Sequence, residues 1–451
     1  MEEITREKKR SFWGGILAGV LITGTLLTIL FIVLLEKENA LVEQRLGEVA
    51  ASAQNSSSSK NSSSNSSKGS VTVKDGSLID NDFVTKADLI YDNVVKRFYF
   101  EDDIDISAMH ENMYKAIIDS LGDKYAEYYT AEELDEMFMS SEGIYYGIGS
   151  YVMLDEETGY PILTKIFKDS PASRAGLQDN DIIYAVDGEN LFGYKLDEAV
   201  ALIKGPENTN VTLTIYREGT PDTFDVVVTR AKVESPTVES EMKESGIGYL
   251  QITEFDEVTT DQFIKAYNSL YDQGMKAMIL DLRSNGGGNL DTVLNIGEQM
   301  LPKGIITYTE DKEGKRDEYK CKGKNVIKIP LVVLTNGYTA SASELLTGAL
   351  HDYGLATVIG TNTYGKGIVQ TIYPLSDGSG IKITTSRYYT PNGVCIHGEG
   401  IAPDIELEYD SELYSTEKID NQLEYAIDFL KEKLKLAYRK CFPPKAFFVI
   451  Y

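Results

Sequence analysis

Residues 278–288 read MILDLRSNGGG and residues 331–344 read LVVLTNGYTASASE. Each opens on an apolar run of strand length and closes on a loop of small residues. Around them the chain alternates. Strands are predicted at Ile247–Glu254, Met278–Leu282 and Leu331–Thr335, and helices at Thr259–Gln273, Asp291–Leu301 and Ser341–Asp352. Such alternation predicts an α/β layer whose site lies on loops at strand ends. After Thr357 the residues turn β-rich, and Asp420–Leu436 has the period of an amphipathic helix.

Upstream, residues 143–232 change to short strands and turns. Ser170-Pro171-Ala172, Ala175-Gly176-Leu177, Asp181-Ile182-Ile183 and Val186-Asp187-Gly188 together resemble a PDZ domain. Asn180 stands where that family usually has Gly, and Asn tolerates a left-handed turn. The resemblance implies that a peptide C-terminus adds as a strand, its carboxylate held by backbone N–H groups of the loop Tyr146, Gly147, Ile148 and Gly149. Residues 78–142 keep helical spacing, with Ser107 a candidate N-cap, and suggest packing or dimerisation rather than chemistry.

Three motifs compete for the chemistry. Gly360–Gly367 nearly fits a phosphate-binding loop, but Gly367 stands where a Mg²⁺-holding hydroxyl belongs, and the β-branched run after it predicts a strand. Ser415 and Lys418 fit S-x-x-K by letters alone, with no partner motif. The third, Thr339-Ala340-Ser341-Ala342-Ser343-Glu344, crowds small residues at a strand-to-helix turn. A serine there would meet the orphan N–H groups of a helix N-terminus; the plainer alternative is an N-cap with Glu344 completing a capping box. His351 is about 15 Å down the same helix, His110 belongs to the N-terminal helices, and His397 sits in a turn. Lys366, between two glycines, is the better base, since burial lowers a lysine pKa.

The PDZ motifs, Asp281–Gly288, Thr339–Glu344 and Tyr364–Gln370 follow one another in the order of the carboxyl-terminal processing peptidases, which this chain resembles from about Val84 to Leu436. The resemblance implies Ser341 as nucleophile, Lys366 as general base and Gln370 as the residue orienting the lysine. It also implies an oxyanion hole of the Ala342 and Gly287 backbone N–H groups. Pro is usual at the Gly286 position, which leaves the second donor open among Gly286, Gly287 and Gly288. Ser343 is a rival nucleophile, and a Ser/His pair with His397 a rival mechanism. A catalytically silent PDZ scaffold is the competing class.

Whole-chain features complete the expectation. The 451 residues carry a net charge of −26, which argues against nucleic acid. Three cysteines are too few for a disulfide framework, and no metal or organic cofactor is implied. Phe12–Leu35 is uncharged over 24 positions, preceded by Arg6, Lys8, Lys9 and Arg10. It predicts a membrane-spanning helix within residues 11–35, with residues 1–10 cytoplasmic and the body outside. Residues 36–77, including the Ser/Asn tract Ser52–Ser70, form a linker and flexible spacer. The expected architecture is then a helical region (78–142), a PDZ domain (143–232), an α/β protease core with a β-rich extension (233–410) and a C-terminal helical segment (411–440). Residues 441–451 have no assigned role. The expected protein is a bacterial, membrane-anchored endopeptidase that takes protein substrates by their C-termini, with a homodimer expected through the helical regions.

Overall fold

The computed structural model describes residues 81–441, with side chains through Leu436 except that of Glu101. The predicted membrane helix and spacer, and the tail beyond Cys441, lie outside the described residues. Among the described residues, no helix is long and apolar enough to cross a membrane. Two compact units divide at Ile104/Asp105. The described part of the first is helix Asn81–Arg97 and a 3-10 turn at Glu101–Asp103.

The second unit holds the rest. Its central sheet has six strands, in the order Val238–Lys243, Ile247–Ile252, Ala277–Asp281, Leu331–Thr335, Ala356–Gly360 and Ile405–Glu406. The first pair is antiparallel and the others parallel. Side chains alternate across it. Met278, Leu280, Val333 and Leu331 pack against Phe263, Val293, Ile296, Leu345 and Leu346 of the helices on one face. Ile247, Ile279, Val332 and Leu334 pack on the other face against Ala426, Ile427 and Leu430 of helix Asn421–Cys441. Ala277–Asp281 and Leu331–Thr335 are buried along their whole length, because both faces of each are covered.

A second sheet is built from Gly380–Tyr389, which pairs with Ile368–Pro374, Gly304–Asp311 and Glu127–Tyr129. The last of these is a strand inside the region read as helical, and it joins that region to the core. Asp105, not the predicted Ser107, caps helix Ile106–Asp119: its carboxylate accepts from the Ala108 N–H at 3.0 Å. The hairpin Gly304–Asp311/Arg316–Cys321 is absent from the sequence reading. The third body, Ser150–Thr229, is a six-stranded sheet closed over Leu163, Ile183, Leu213 and Ile215. Asn180 takes φ 70°, the left-handed turn its side chain tolerates.

Candidate active site

The site forms where the central sheet's strands end. Asn285, fully buried, shapes it. Its backbone oxygen accepts from the Ala340 N–H and the Ser343 hydroxyl, each at 3.0 Å, and its side-chain amide donates to the Ile252 oxygen at 2.8 Å. Strand end and glycine loop are thus fixed against the serine turn. A Cβ on Gly287 would lie 2.7 Å from that of Ser341, so only glycine fits.

Ser341 lies at φ 56° and ψ −117°, at the N-terminus of helix Ala342–Asp352. This sparsely populated geometry costs about 1–3 kcal/mol and recurs at functional turns. Ser343, the rival, is fully buried, and its hydroxyl is already given to the Asn285 oxygen. The Ala342 N–H makes no hydrogen bond among the described residues and stands free for an oxyanion. The Gly287 N–H is not free: it donates to Asn285 Oδ1 at 2.8 Å. Gly286 and Gly288, whose N–H groups are uncommitted, line the cavity instead.

Glu344 is fully buried and ties the turn to the lysine loop. One carboxylate oxygen accepts from the N–H groups of Ser341 and Lys366, at 2.8 and 2.9 Å; the other accepts from Thr363 Oγ1 and the Gly365 N–H, at 2.6 and 2.7 Å. Tyr388 adds a second tie. Its hydroxyl donates to the Lys366 oxygen, and Tyr388 and Ser341 line the same cavity.

Ser341 and Lys366 line one cavity of about 750 Å³ with Gln370, Tyr125 and Tyr388. Burial, and then the charge of Lys382, push the Lys366 pKa below its ordinary 10.5. Among the described residues no hydrogen bond joins Nζ to the Ser341 hydroxyl; Nζ rests over the Tyr125 ring, 4.5 Å from its centroid. Tyr125 belongs to the segment where no chemistry was expected.

Gln370 lines the same cavity, but among the described residues no hydrogen bond joins it to Lys366. Lys366 precedes strand Ile368–Pro374, and a register shift between Val369 and Gln370 changes the strand's phase. The Gln370 amide donates to Thr384 Oγ1 at 3.1 Å instead.

No histidine lines the cavity. His397 lines a separate one with Asp123 and Arg387, His351 meets Asp404 at 3.1 Å, and His110 is exposed. The strand after Lys366 leaves no helix to receive a phosphate, and Ser415 Oγ donates to the Glu412 oxygen within its own helix. Among the described residues no cluster could hold a metal.

A larger cavity, about 1140 Å³, runs along the third body between edge strand Ser150–Leu154 and helix Leu196–Ile203, past Tyr146, Gly147 and Ile148. Glu254 and Asp256 line both cavities. Burial, reinforced by the charge of Glu254, lifts the Asp256 carboxyl to about 7.

Family models match twice, peptidase family S41 over residues 246–407 and the PDZ domain over residues 163–217. The chain is 34% identical over 338 residues to the carboxyl-terminal-processing protease of Synechocystis, covering 73% of this chain and 79% of that one. The chain belongs to peptidase family S41. It is also 35% identical over 336 residues to the carboxy-terminal processing protease CtpA of Bacillus subtilis, 74% of this chain and 71% of the relative. Among solved structures, the photosystem II D1 C-terminal processing protease is 28% identical with a TM-score of 0.43, over 73% and 89% of the two chains. As a carboxyl-terminal processing protease, the chain is a serine-type peptidase with a PDZ domain. Tyr125, Asn285 and Tyr388 are site residues that the sequence reading left without a role, and Glu344 was read there only as the partner in a capping box. Of these, only the spacing of Glu344 from Ser341 carried a signal.

Proposed function

We propose that the protein is a membrane-anchored bacterial endopeptidase cutting extracytoplasmic proteins held by their C-termini, with Ser341 as nucleophile and Lys366 as base. The observation that carries this reading is the shared Glu344 carboxylate, which fixes both residues by their backbones at one cavity that no histidine enters. Lowering of the lysine pKa favours the neutral amine that a base requires.

Nζ leaves the Tyr125 ring and takes the Ser341 hydroxyl proton as Oγ bonds to the substrate carbonyl. The oxyanion forms at the Ala342 N–H and a glycine N–H of the 286–288 loop. The ammonium then returns the proton to the leaving amine, the C–N bond breaks, and an acyl-enzyme remains. Water, deprotonated by the same amine, releases the acid and restores Ser341.

Edge strand Ser150–Leu154 supports the C-terminal recognition, since its open side faces the groove. Anchoring rests on the uncharged span Phe12–Leu35 and the basic residues before it.

The test is peptide cleavage by the full chain and its variants. Ser341→Ala and Lys366→Ala should each abolish turnover, and their losses should not add, because the two residues act as a unit. His397→Ala should remain active. An active Lys366→Ala together with a dead His397→Ala would replace the mechanism by a Ser/His pair.

A further inference from the structure

Glu254 and Asp256 flank Phe255 in the extended segment that abuts the glycine loop. Phe255 is fully buried; its N–H donates to the Gly287 oxygen at 2.9 Å, and its oxygen accepts from the Asn289 N–H at 2.7 Å. Alternation along an extended backbone sends the two carboxylates to the side opposite Phe255. There they line both the catalytic cavity and the groove beside Gly147 and Ile148, and so stand at the passage between the two.

The other buried carboxylates of the described residues are held. Asp181 meets Arg217 at 2.6 Å, Asp281 meets Arg283 at 2.6 Å, and Glu344 has its four donors. Asp256 is the exception. Only 6% exposed, it uses its backbone N–H and oxygen for Thr259 and Thr292, while its carboxylate has neither hydrogen bond nor ion pair among the described residues. Glu254 likewise has no side-chain partner there, whereas Glu127, on the same passage, is taken by Lys382 at 2.8 Å. A buried carboxylate is stable when a cation or donors meet it, and the described residues supply none to Asp256.

Resting on the functional reading above, we propose that Asp256, with Glu254, receives a lysine or arginine side chain of the substrate. That residue would lie between the C-terminal carboxylate in the 146–149 loop and the bond cut at Ser341. The pair would make this protease selective for substrates with a basic residue near the end.

The test uses the full chain and one peptide with a free, apolar C-terminus, varied position by position to lysine, norleucine or glutamate. At one position, lysine should raise kcat/KM about tenfold or more over norleucine, with glutamate lower still. Asp256→Asn should erase most of that ratio and Glu254→Gln part of it. Cleavage by wild type against Ser341→Ala reads the mechanism separately: if Ser341→Ala still cuts the peptides, that mechanism fails; if wild type cuts the lysine and norleucine peptides alike at every position, only the Asp256 assignment fails. A lysine preference that survives both substitutions also overturns it. Should Asp256→Asn fail to fold, exposed Glu254→Gln carries the test. Calorimetric binding of the lysine and norleucine peptides to Ser341→Ala then supplies the second measurement, and equal affinities there would refute the proposal.

Discussion

At Ser341 the backbone and the chemistry make opposing demands. With φ 56° the residue sits where glycine is at ease and other residues are strained. Ser341→Gly and Ser341→Ala should both be inactive, yet the glycine variant should be the more stable by about 1 kcal/mol in urea unfolding. Glu344→Gln keeps the shape but turns one oxygen, with two of its four bonds, into a donor facing donors. A stability loss of about 2 kcal/mol is expected, with kcat falling about tenfold and KM little changed. For Lys366 the sign follows from the proposed mechanism, in which the neutral amine is the active form, and its pKa lies below 10.5. Turnover should therefore fall as pH drops through that lowered value, and Lys366→Arg should be inactive at every pH, since arginine stays charged. A pH profile of kcat checks both.

Elements set what could be read in advance. Leu331–Thr335 was legible to the residue because both its faces are covered and every position is apolar or small. The turns that carry Ser341 and Lys366 were legible because they are built of glycine and small residues. The register of Gln370 was not: the shift after Val369 cannot be seen in a β-branched run, and it breaks the two-residue period on which the expected contact with Lys366 stood. Gly287 failed for a similar reason, since its N–H bends back to Asn285 within the loop. Tyr125 escaped because nothing local announces a contact some 240 residues away. The helix Asn421–Cys441 is docked by Arg283, which meets Asp281 and Asp420 at 2.6 and 2.7 Å and Gln422 at 2.9 Å. Asp420→Ala leaves that guanidinium underpaired and should cost about 3–5 kcal/mol, and Arg283→Met should cost no less, because it strips the buried Asp281 of its partner as well. Burial opposes the Asp420 charge, but Arg283 outweighs it and holds the folded pKa below 3.8. Its stabilisation is present above 3.8 and lost as pH falls through the folded value. The stability gap between wild type and Asp420→Asn should accordingly narrow in acid.

In the proposed function, recognition and attachment belong to separate segments of the chain. A peptide with a free C-terminal carboxylate should bind more tightly than its amide in calorimetry, because the Ile148 and Gly149 N–H groups, just past strand Ile144–Gly147, make no hydrogen bond among the described residues; equal affinity would remove that loop from recognition. Protease added to spheroplasts should cut within Ser52–Ser70 and release an active body, whereas a native N-terminus beginning after Ala53 would rule out the anchor. The Glu344 clasp also dictates where this protein can tolerate insertions. Thr363, Gly365 and Lys366 all reach the same carboxylate, so the stretch from the end of strand Ala356–Gly360 to Lys366 is fixed in length. One added residue there displaces the amine from Ser341. The turn at 312–315 between strands Gly304–Asp311 and Arg316–Cys321 meets no such requirement, and the protein can lengthen there without altering its chemistry.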